Sequence, residues 1–186
     1  PGVEGLHPVH DTVTKRYRHL NFFQHECQLE VRVPRVKLPD GGVRQVEPGW
    51  AGKLAGFTLL FEALILTLCR EMTFTAVARL VNLSWHQVTA ICKRYVDLSL
   101  AQGDFSEVKR LAADETSKAR GHDYITLVAD ANQRRVLFVT EGRDAQTIKN
   151  FAADFTAHGG DPKAVESISI DMSPAFIKGC TEQLPN

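Results

Sequence analysis

The fold of the C-terminal half is decided by the stretch Leu111-Ala112-Ala113-Asp114-Glu115-Thr116-Ser117, together with a second stretch, Ser167-Ile168-Ser169-Ile170-Asp171. In both stretches, small and apolar residues lead directly into an aspartate. A carboxylate at the end of a buried strand is costly to desolvate unless a cation compensates its charge. Two such strand ends in one small α/β unit therefore predict that Asp114 and Asp171 bind a divalent metal ion.

The residues around these stretches alternate between strand and helix patterns. Strands are predicted at 108–116, 124–129, 135–140 and 167–171, one helix at 145–157, and a second helix from Pro174 onward, capped by Ser173. The order βββαβα matches the first part of a ribonuclease-H-like fold, in which the fourth strand lies parallel to the first. Because neighbouring strands are about 4.8 Å apart, the two aspartates could then share a metal ion. Acids at strand ends also cap helices or form salt bridges, and the spacing alone leaves that alternative open.

The middle of the chain has helical periodicity. An apolar face from Leu54 to Leu68 predicts a long helix, residues 73–81 a short one, and residues 85–98 a third, which Ser84 would cap. Two helices joined by a tight turn indicate a helix-turn-helix. The side chains predicted to lie on or beside the major groove of DNA are Trp85, His86, Gln87, Thr89, Lys93 and Arg94. An ordinary helical hairpin with exposed polar residues is the alternative.

Residues 1–48 have the pattern of short strands and turns, with apolar residues alternating from Cys27 to Val33. The formal net charge of the 186-residue chain is zero, so no overall basic character points to nucleic acid. Cations are nevertheless concentrated between residues 13 and 37, where Arg18 and Arg35 are candidates for phosphate contacts. A solvated β-surface explains the same concentration equally well.

The cysteines and the apolar runs indicate where the protein resides. The four cysteines are scattered and form no C-x-x-C motif, which favours a reducing compartment over a disulfide framework. No signal peptide is recognisable, and the longest apolar run is interrupted by Thr58, Glu62 and Thr67. We therefore expect a soluble cytoplasmic protein with no membrane partner.

Several motifs together resemble the DDE transposases of bacterial insertion sequences, specifically the ISL-three family. They are Tyr17-Arg18-His19-Leu20, Val33-Pro34-Arg35-Val36, the helix-turn-helix, Ala113-Asp114-Glu115 followed by Gly121-His122-Asp123-Tyr124, Arg135-Val136-Leu137, Glu141-Gly142-Arg143 and Ile170-Asp171-Met172-Ser173-Pro174-Ala175-Phe176. The resemblance implies that Asp114 and Asp171 are the first two catalytic carboxylates. It also implies Mg²⁺- or Mn²⁺-dependent cleavage and strand transfer, in the bacterial cytoplasm, on double-stranded DNA that carries the terminal inverted repeats of the transposon.

The sequence departs from the family pattern in two places, and each departure changes the function that we expect. The family's third acid, a glutamate, follows a fifth strand, whereas this chain stops at Leu184-Pro185-Asn186. We therefore expect the chain to be catalytically incomplete. We also expect it to self-associate through an open sheet edge. The family's N-terminal zinc module has paired cysteines, but residues 38–42 read Leu-Pro-Asp-Gly-Gly. We therefore expect no zinc, only the β-scaffold of a degenerate zinc ribbon.

The sequence thus predicts an α+β multi-module protein. Its modules are a β-rich degenerate zinc-ribbon-like module at 1–48, a helix-turn-helix domain at 49–103 and a partial ribonuclease-H-like domain at 104–186. The leading hypothesis is a transposase fragment that binds transposon-end DNA. One alternative is a catalytically inactive remnant or regulator that occupies those ends. Another is a helix-turn-helix regulator whose α/β domain senses a small ligand.

Overall fold

The computed structural model describes residues 5–117, 124–171 and 173–184. The chain forms two compact units, residues 1–99 and residues 100–186. Unit 1 contains the strands β1 (Val9–Phe22), β2 (His25–Lys37) and β3 (Val43–Gln45) and the helices α1 (Leu59–Glu71), α2 (Phe74–Val81) and α3 (Trp85–Ala101), the last of which ends just inside unit 2. Unit 2 contains β4 (Arg110–Ser117), β5 (Tyr124–Asp130), β6 (Arg135–Glu141), α4 (Ala145–Ala157), β7 (Ser167–Ser169) and α5 (Pro174–Gln183).

Unit 1 begins with an antiparallel sheet in the order β1-β2-β3. Partly buried and exposed residues alternate along β2 from Cys27 to Arg32, which confirms the strand pattern in the sequence. In the turn between β2 and β3, Gly41 has a φ of +81° and the Gly42 N–H donates to Asp40 Oδ1 at 2.8 Å. A glycine suits that backbone conformation because it has no Cβ.

The helices of unit 1 pack around one apolar cluster. Its buried members are Phe57, Phe61, Ile65, Val77, Ala78, Val81, Val88 and Ile91. On α3, Val88 and Ile91 are fully buried, whereas Cys92 and Tyr95 are half-buried. Helix α1 begins at Leu59, later than the apolar face suggests, because Thr58 caps it by accepting a hydrogen bond from the Phe61 N–H.

Unit 2 has a four-stranded mixed sheet in the order β6-β5-β4-β7, in which β7 is parallel to β4 and the other pairs are antiparallel. The order of elements is the predicted one, but β4 starts at Arg110 and β7 ends at Ser169, two residues before Asp171. Ser173 is the N-cap residue of α5 and Pro174 starts the helix, as predicted, although the side chain of Ser173 makes no cap hydrogen bond. Strand β7 lies at the sheet edge, and self-association there stays a prediction.

Helix α5 packs closely against α4 at Gly179. A Cβ at this position would lie 2.9 Å from Ile148 Cβ and 3.3 Å from the Ala145 Cα, neither of which is the free end of a flexible side chain. We therefore predict that Gly179→Ala destabilises unit 2 by about 1–3 kcal/mol, although alanine ordinarily favours a helix. The midpoint of urea unfolding measures this change. An unchanged or raised midpoint would contradict the close packing of the two helices.

No helix in the part of the chain that the structure describes is long and apolar enough to cross a membrane.

Candidate metal centre and nucleic-acid interface

The register between β4 and β7 relates the two candidate carboxylates. Arg110 pairs with Ser167, Leu111 with Ile168 and Ala112 with Ser169, and in every pair the two residues are 57 positions apart. Asp114 and Asp171 are also 57 positions apart, and each follows the last paired residue of its strand by two. Two neighbouring parallel strands therefore lead, at the same end of the sheet and in the same phase, to one aspartate each.

Strand alternation gives the side of the sheet on which Asp114 lies. Leu111 and Ala113 are buried in the core of unit 2, so the side chain of Asp114 lies on the opposite face. Asp114 and Asp171 are both exposed. Asp114 Oδ1 accepts a hydrogen bond of 2.7 Å from the Glu115 N–H, which limits the orientations of that carboxylate. A metal ion would find these carboxylates accessible from solvent.

Glu115 has different surroundings, as strand alternation predicts. Its side chain is only 18% exposed, and its Oε1 lies 3.7 Å from the Arg143 Nη1. The guanidinium of Arg143 in turn stacks on Tyr124, with 4.0 Å between its Cζ and the ring centroid. Glu115 Oε1 is thus near Arg143, whereas Glu115 Oε2 is buried with no hydrogen-bond partner among the described residues, and alternation puts Glu115 on the opposite face of β4 from Asp114.

The chemistry of Asp114 and Asp171 suits a hard divalent cation, but two carboxylates are only part of a coordination sphere. Two carboxylates supply the oxygen ligands that Mg²⁺ and Mn²⁺ prefer. Within residues 5–117, 124–171 and 173–184, however, no group of three or more His, Cys, Asp or Glu side chains is placed to hold a metal ion. Residues 118–123, which include Gly121-His122-Asp123 of the family-like motif, lie outside the described residues. Metal binding by Asp114 and Asp171 therefore stays a prediction, in which the rest of the coordination sphere would come from water, other residues or substrate.

The helix-turn-helix has well-formed helix ends. Asn82 adopts the left-handed conformation (φ 54°, ψ 49°) at the end of α2, and its N–H donates to the Ala78 carbonyl. Ser84 caps α3 as predicted: its Oγ accepts from the Gln87 N–H at 3.2 Å, and Gln87 Oε1 accepts from the Ser84 N–H at 2.9 Å. This reciprocal pair is a capping box, so the side chain of Gln87 stabilises the turn.

The remaining predicted groove residues lie on α3 away from the core. Trp85, His86 and Arg94 are exposed, with Trp85 at 48%, and the rings of Trp85 and His86 meet edge to face at 5.4 Å. Thr89 is half-buried and its hydroxyl donates to the Trp85 carbonyl, while Lys93 Nζ lies 2.8 Å from Asp97 Oδ2. Among the predicted groove residues, Trp85, His86 and Arg94 are therefore the ones most available to a partner.

The two arginines proposed from the N-terminal strands differ in exposure. The side chain of Arg18 is 7% exposed; it donates to the His19 carbonyl and to Asn21 Oδ1, and its Cζ lies 4.9 Å from the Phe61 ring centroid. These contacts give Arg18 a structural role in unit 1, and a phosphate contact by its guanidinium stays a prediction. Arg35 is 41% exposed and forms a bidentate ion pair with Asp11, which lowers the pKa of that aspartate mainly through the hydrogen bond.

Two features of unit 1 were not found by sequence reasoning. Glu62 is completely buried and accepts hydrogen bonds from the Lys53 and Leu54 N–H groups and from the Tyr95 hydroxyl. Phe22 and Phe23, at the tip of the β1–β2 hairpin, are 70% and 81% exposed. The sequence signals for these features were a glutamate beside the apolar stripe of α1 and two consecutive phenylalanines at a turn.

The two units define an α+β protein with a helix-turn-helix type of helical pair and a mixed sheet, as in a transposase. Residues 46–96 match the helix-turn-helix domain of transposase family ISL3, and residues 111–186 match the family model described as a transposase. The chain belongs to the ISL3 family of transposases, which confirms the resemblance seen in the sequence.

Curated relatives agree with this assignment. The chain is 31% identical over 171 residues to the transposase for insertion sequence element IS1001 of Bordetella parapertussis, covering 90% of this chain and 41% of the relative. It is 30% identical over 174 residues to the transposase for IS1557 of Mycobacterium tuberculosis, covering 92% and 38% respectively. The chain thus spans about two fifths of the length of these relatives. No solved structure matches it significantly.

Proposed function

We propose that this chain supplies the DNA-binding part and the first two catalytic carboxylates of a transposase acting on the ends of its insertion sequence. The observation that supports the proposal is the 57-residue offset of the three β4–β7 pairs, which is also the spacing between Asp114 and Asp171. Within a ribonuclease-H-like arrangement, the two aspartates would hold Mg²⁺ or Mn²⁺. When bound, the ion would activate the attacking water or 3′-hydroxyl and stabilise the leaving oxygen of the phosphodiester.

The residues of the chain have separate tasks in this proposal. Asp114, from within β4, and Asp171, just after β7, bind and orient the cation, and Asp114 is restrained by its hydrogen bond to the Glu115 N–H. Trp85, His86 and Arg94 of α3 contact DNA, and the N-terminal residues of a recognition helix are those that reach base edges. The remaining groove candidates support them, since Gln87 fixes the turn and Lys93 is paired with Asp97.

The proposal is tested by two measurements on the parent protein. Duplexes with a randomised central segment are selected for binding, and Mn²⁺ binding is followed by electron paramagnetic resonance. We expect enrichment of particular duplexes and saturable Mn²⁺ binding. Failure to enrich any duplex would overturn the DNA-binding role, and absence of Mn²⁺ binding would overturn the metal-binding role. Metal-dependent nicking of the enriched duplex would separate a competent enzyme from an inactive remnant that occupies transposon ends.

Arg94→Ala tests the assignment of α3. A cation that neutralises one phosphate releases about one counterion, so its loss should lower the slope of log affinity against log salt concentration by about 1. Arg70→Ala, at the exposed end of α1, is the matched control and should leave the slope unchanged. Fluorescence anisotropy titrations of the enriched duplex at several salt concentrations measure both. Equal slopes for the parent and Arg94→Ala would remove Arg94 from the interface.

A further inference from the structure

We propose that Phe22 and Phe23 form an apolar wedge that stacks against, and partly separates, a base step of the DNA bound by unit 1. The inference rests on the proposed DNA-binding function and adds a second contact to it. The two side chains lie at the tip of the β1–β2 hairpin, 70% and 81% exposed. Their rings meet edge to face, with centroids 4.8 Å apart, so together they present one aromatic surface to solvent.

The fold does not benefit from a phenylalanine at position 23. Phe23 has a φ of +54°, in the left-handed region that is unfavourable for residues with a Cβ. Two-residue hairpin loops prefer Asn or Gly at such positions. Its ring contacts the neighbouring, equally exposed ring of Phe22. A backbone conformation that suits glycine and a large apolar side chain in solvent together indicate a role in binding.

Hydrogen bonds hold the base of this hairpin tip beside the helix-turn-helix. Asn82 Nδ2, in the turn before α3, donates to Glu26 Oε1 of β2 at 2.8 Å. Glu26 Oε1 also lies 3.7 Å from Arg18 Nη2, which donates to Asn21 Oδ1 at 2.7 Å. Both strands of the hairpin are thus tied to the turn that precedes Trp85. DNA that lies against the first turn of α3 would come close to the two phenylalanines.

Aromatic side chains of this kind suit the bases of a duplex. Architectural DNA-binding proteins insert phenylalanine and other apolar side chains between base steps, which partly unstacks the bases and bends the duplex. Stacking on an aromatic ring tolerates any base, because every base has a π-face. The wedge would therefore add affinity and deform the DNA without adding a phosphate contact. A protein partner at the same surface would leave DNA binding unaffected.

The test compares Phe22→Ala and Phe23→Gly with the parent on the duplex that the parent enriches. We expect each variant to bind at least about fivefold more weakly. The salt dependence should stay that of the parent, in contrast to Arg94→Ala, since no phosphate contact is lost. In duplexes that carry 2-aminopurine at successive positions, the parent should raise the fluorescence at one step, and the variants should not. Leu60→Ala removes another apolar side chain with 60% exposure and is the control.

Phe23→Gly distinguishes the loss of a DNA contact from a loss of folding. Glycine relieves the left-handed backbone conformation, so the melting temperature should not fall. Parent-like affinity in both phenylalanine variants, with no 2-aminopurine signal from the parent, would overturn the wedge while Arg94→Ala still supports the DNA-binding role. If the parent enriches no duplex, the proposed function and the wedge both fail.

Discussion

Replacing Asp114 by asparagine is expected to weaken Mn²⁺ binding at least about tenfold, because changes in the outer shell of metal sites already cost about 10- to 100-fold. The amide keeps the shape of the carboxylate but removes one negative charge and one anionic ligand. Asp114 lies in β4 and Asp171 just beyond the parallel strand β7, each two residues after the last β4–β7 pair, and the described residues include no group of three or more potential ligands. In a site with so few anionic ligands, the affinity for Mn²⁺ depends strongly on each ligand. Asp171→Asn should therefore have an effect of the same order.

Mn²⁺ electron paramagnetic resonance of the two variants measures this prediction, and far-ultraviolet circular dichroism shows that they remain folded. Asp154→Asn is the matched control, because Asp154 lies on α4 and its carboxylate is 3.4 Å from the His158 ring. The control should bind Mn²⁺ as the parent does. Parent-like binding in Asp114→Asn would mean that the two aspartates follow the same pair of neighbouring residues, Ala112 and Ser169, without forming a metal site.

The arrangement of unit 2 was predictable because it depends on local patterns. Apolar runs that end in acids gave β4 and β7, and the order of strands and helices was read correctly from the sequence. The register itself could not be read, since the pairing of Ala112 with Ser169 depends on how α4 and the following segment return the chain to the sheet. Strand β7 also ends earlier than its sequence suggests, at Ser169, so Asp171 follows the strand and is not part of it.

Side-chain roles in unit 1 were harder to predict because they depend on tertiary contacts. Arg18 alternates with its neighbours like a surface residue, yet its guanidinium is covered by Phe61 and bonded to Asn21. Gln87 also completes the cap of α3 through the nearby Ser84, and its contact with DNA stays a prediction. A sequence shows that a residue is charged or polar, but whether that residue meets solvent is decided by elements distant in the chain.

Glu62 is the clearest such case, and its replacement should have the largest effect on stability. Its two carboxylate oxygens accept hydrogen bonds from the Lys53 N–H at 2.8 Å, the Leu54 N–H at 2.7 Å and the Tyr95 hydroxyl at 2.6 Å. The loop before α1 lies so close that a Cβ on Gly52 would collide with Glu62 and lie 2.8 Å from the Phe57 carbonyl oxygen. One buried carboxylate thus joins this loop and α3 to α1.

Glu62→Ala should lower the free energy of unfolding of unit 1 by about 3 kcal/mol or more, because it leaves buried donors without an acceptor and opens a cavity. Tyr95→Phe removes only one of the three donors and should cost about 1–2 kcal/mol. Urea unfolding, followed by the fluorescence of Trp50 and Trp85, measures both changes. If Glu62→Ala costs no more than Tyr95→Phe, Glu62 does not hold the loop and α3 together.

The hydrogen bond between Tyr95 and Glu62 makes the free energy of unfolding of unit 1 depend on pH in the alkaline range. Burial, and then the hydrogen bond to Glu62, raise the pKa of Tyr95 to about 12 from a reference value of 10.0. The folded protein therefore retains this proton where the unfolded chain loses it, so the contribution is fully present below pH 10 and is lost as the pH rises towards 12. Tyr95→Phe has no hydroxyl to titrate, and its unfolding free energy should decline less than that of the parent between these values. An equal decline in both proteins would show that Tyr95 ionises equally easily in the folded and unfolded states.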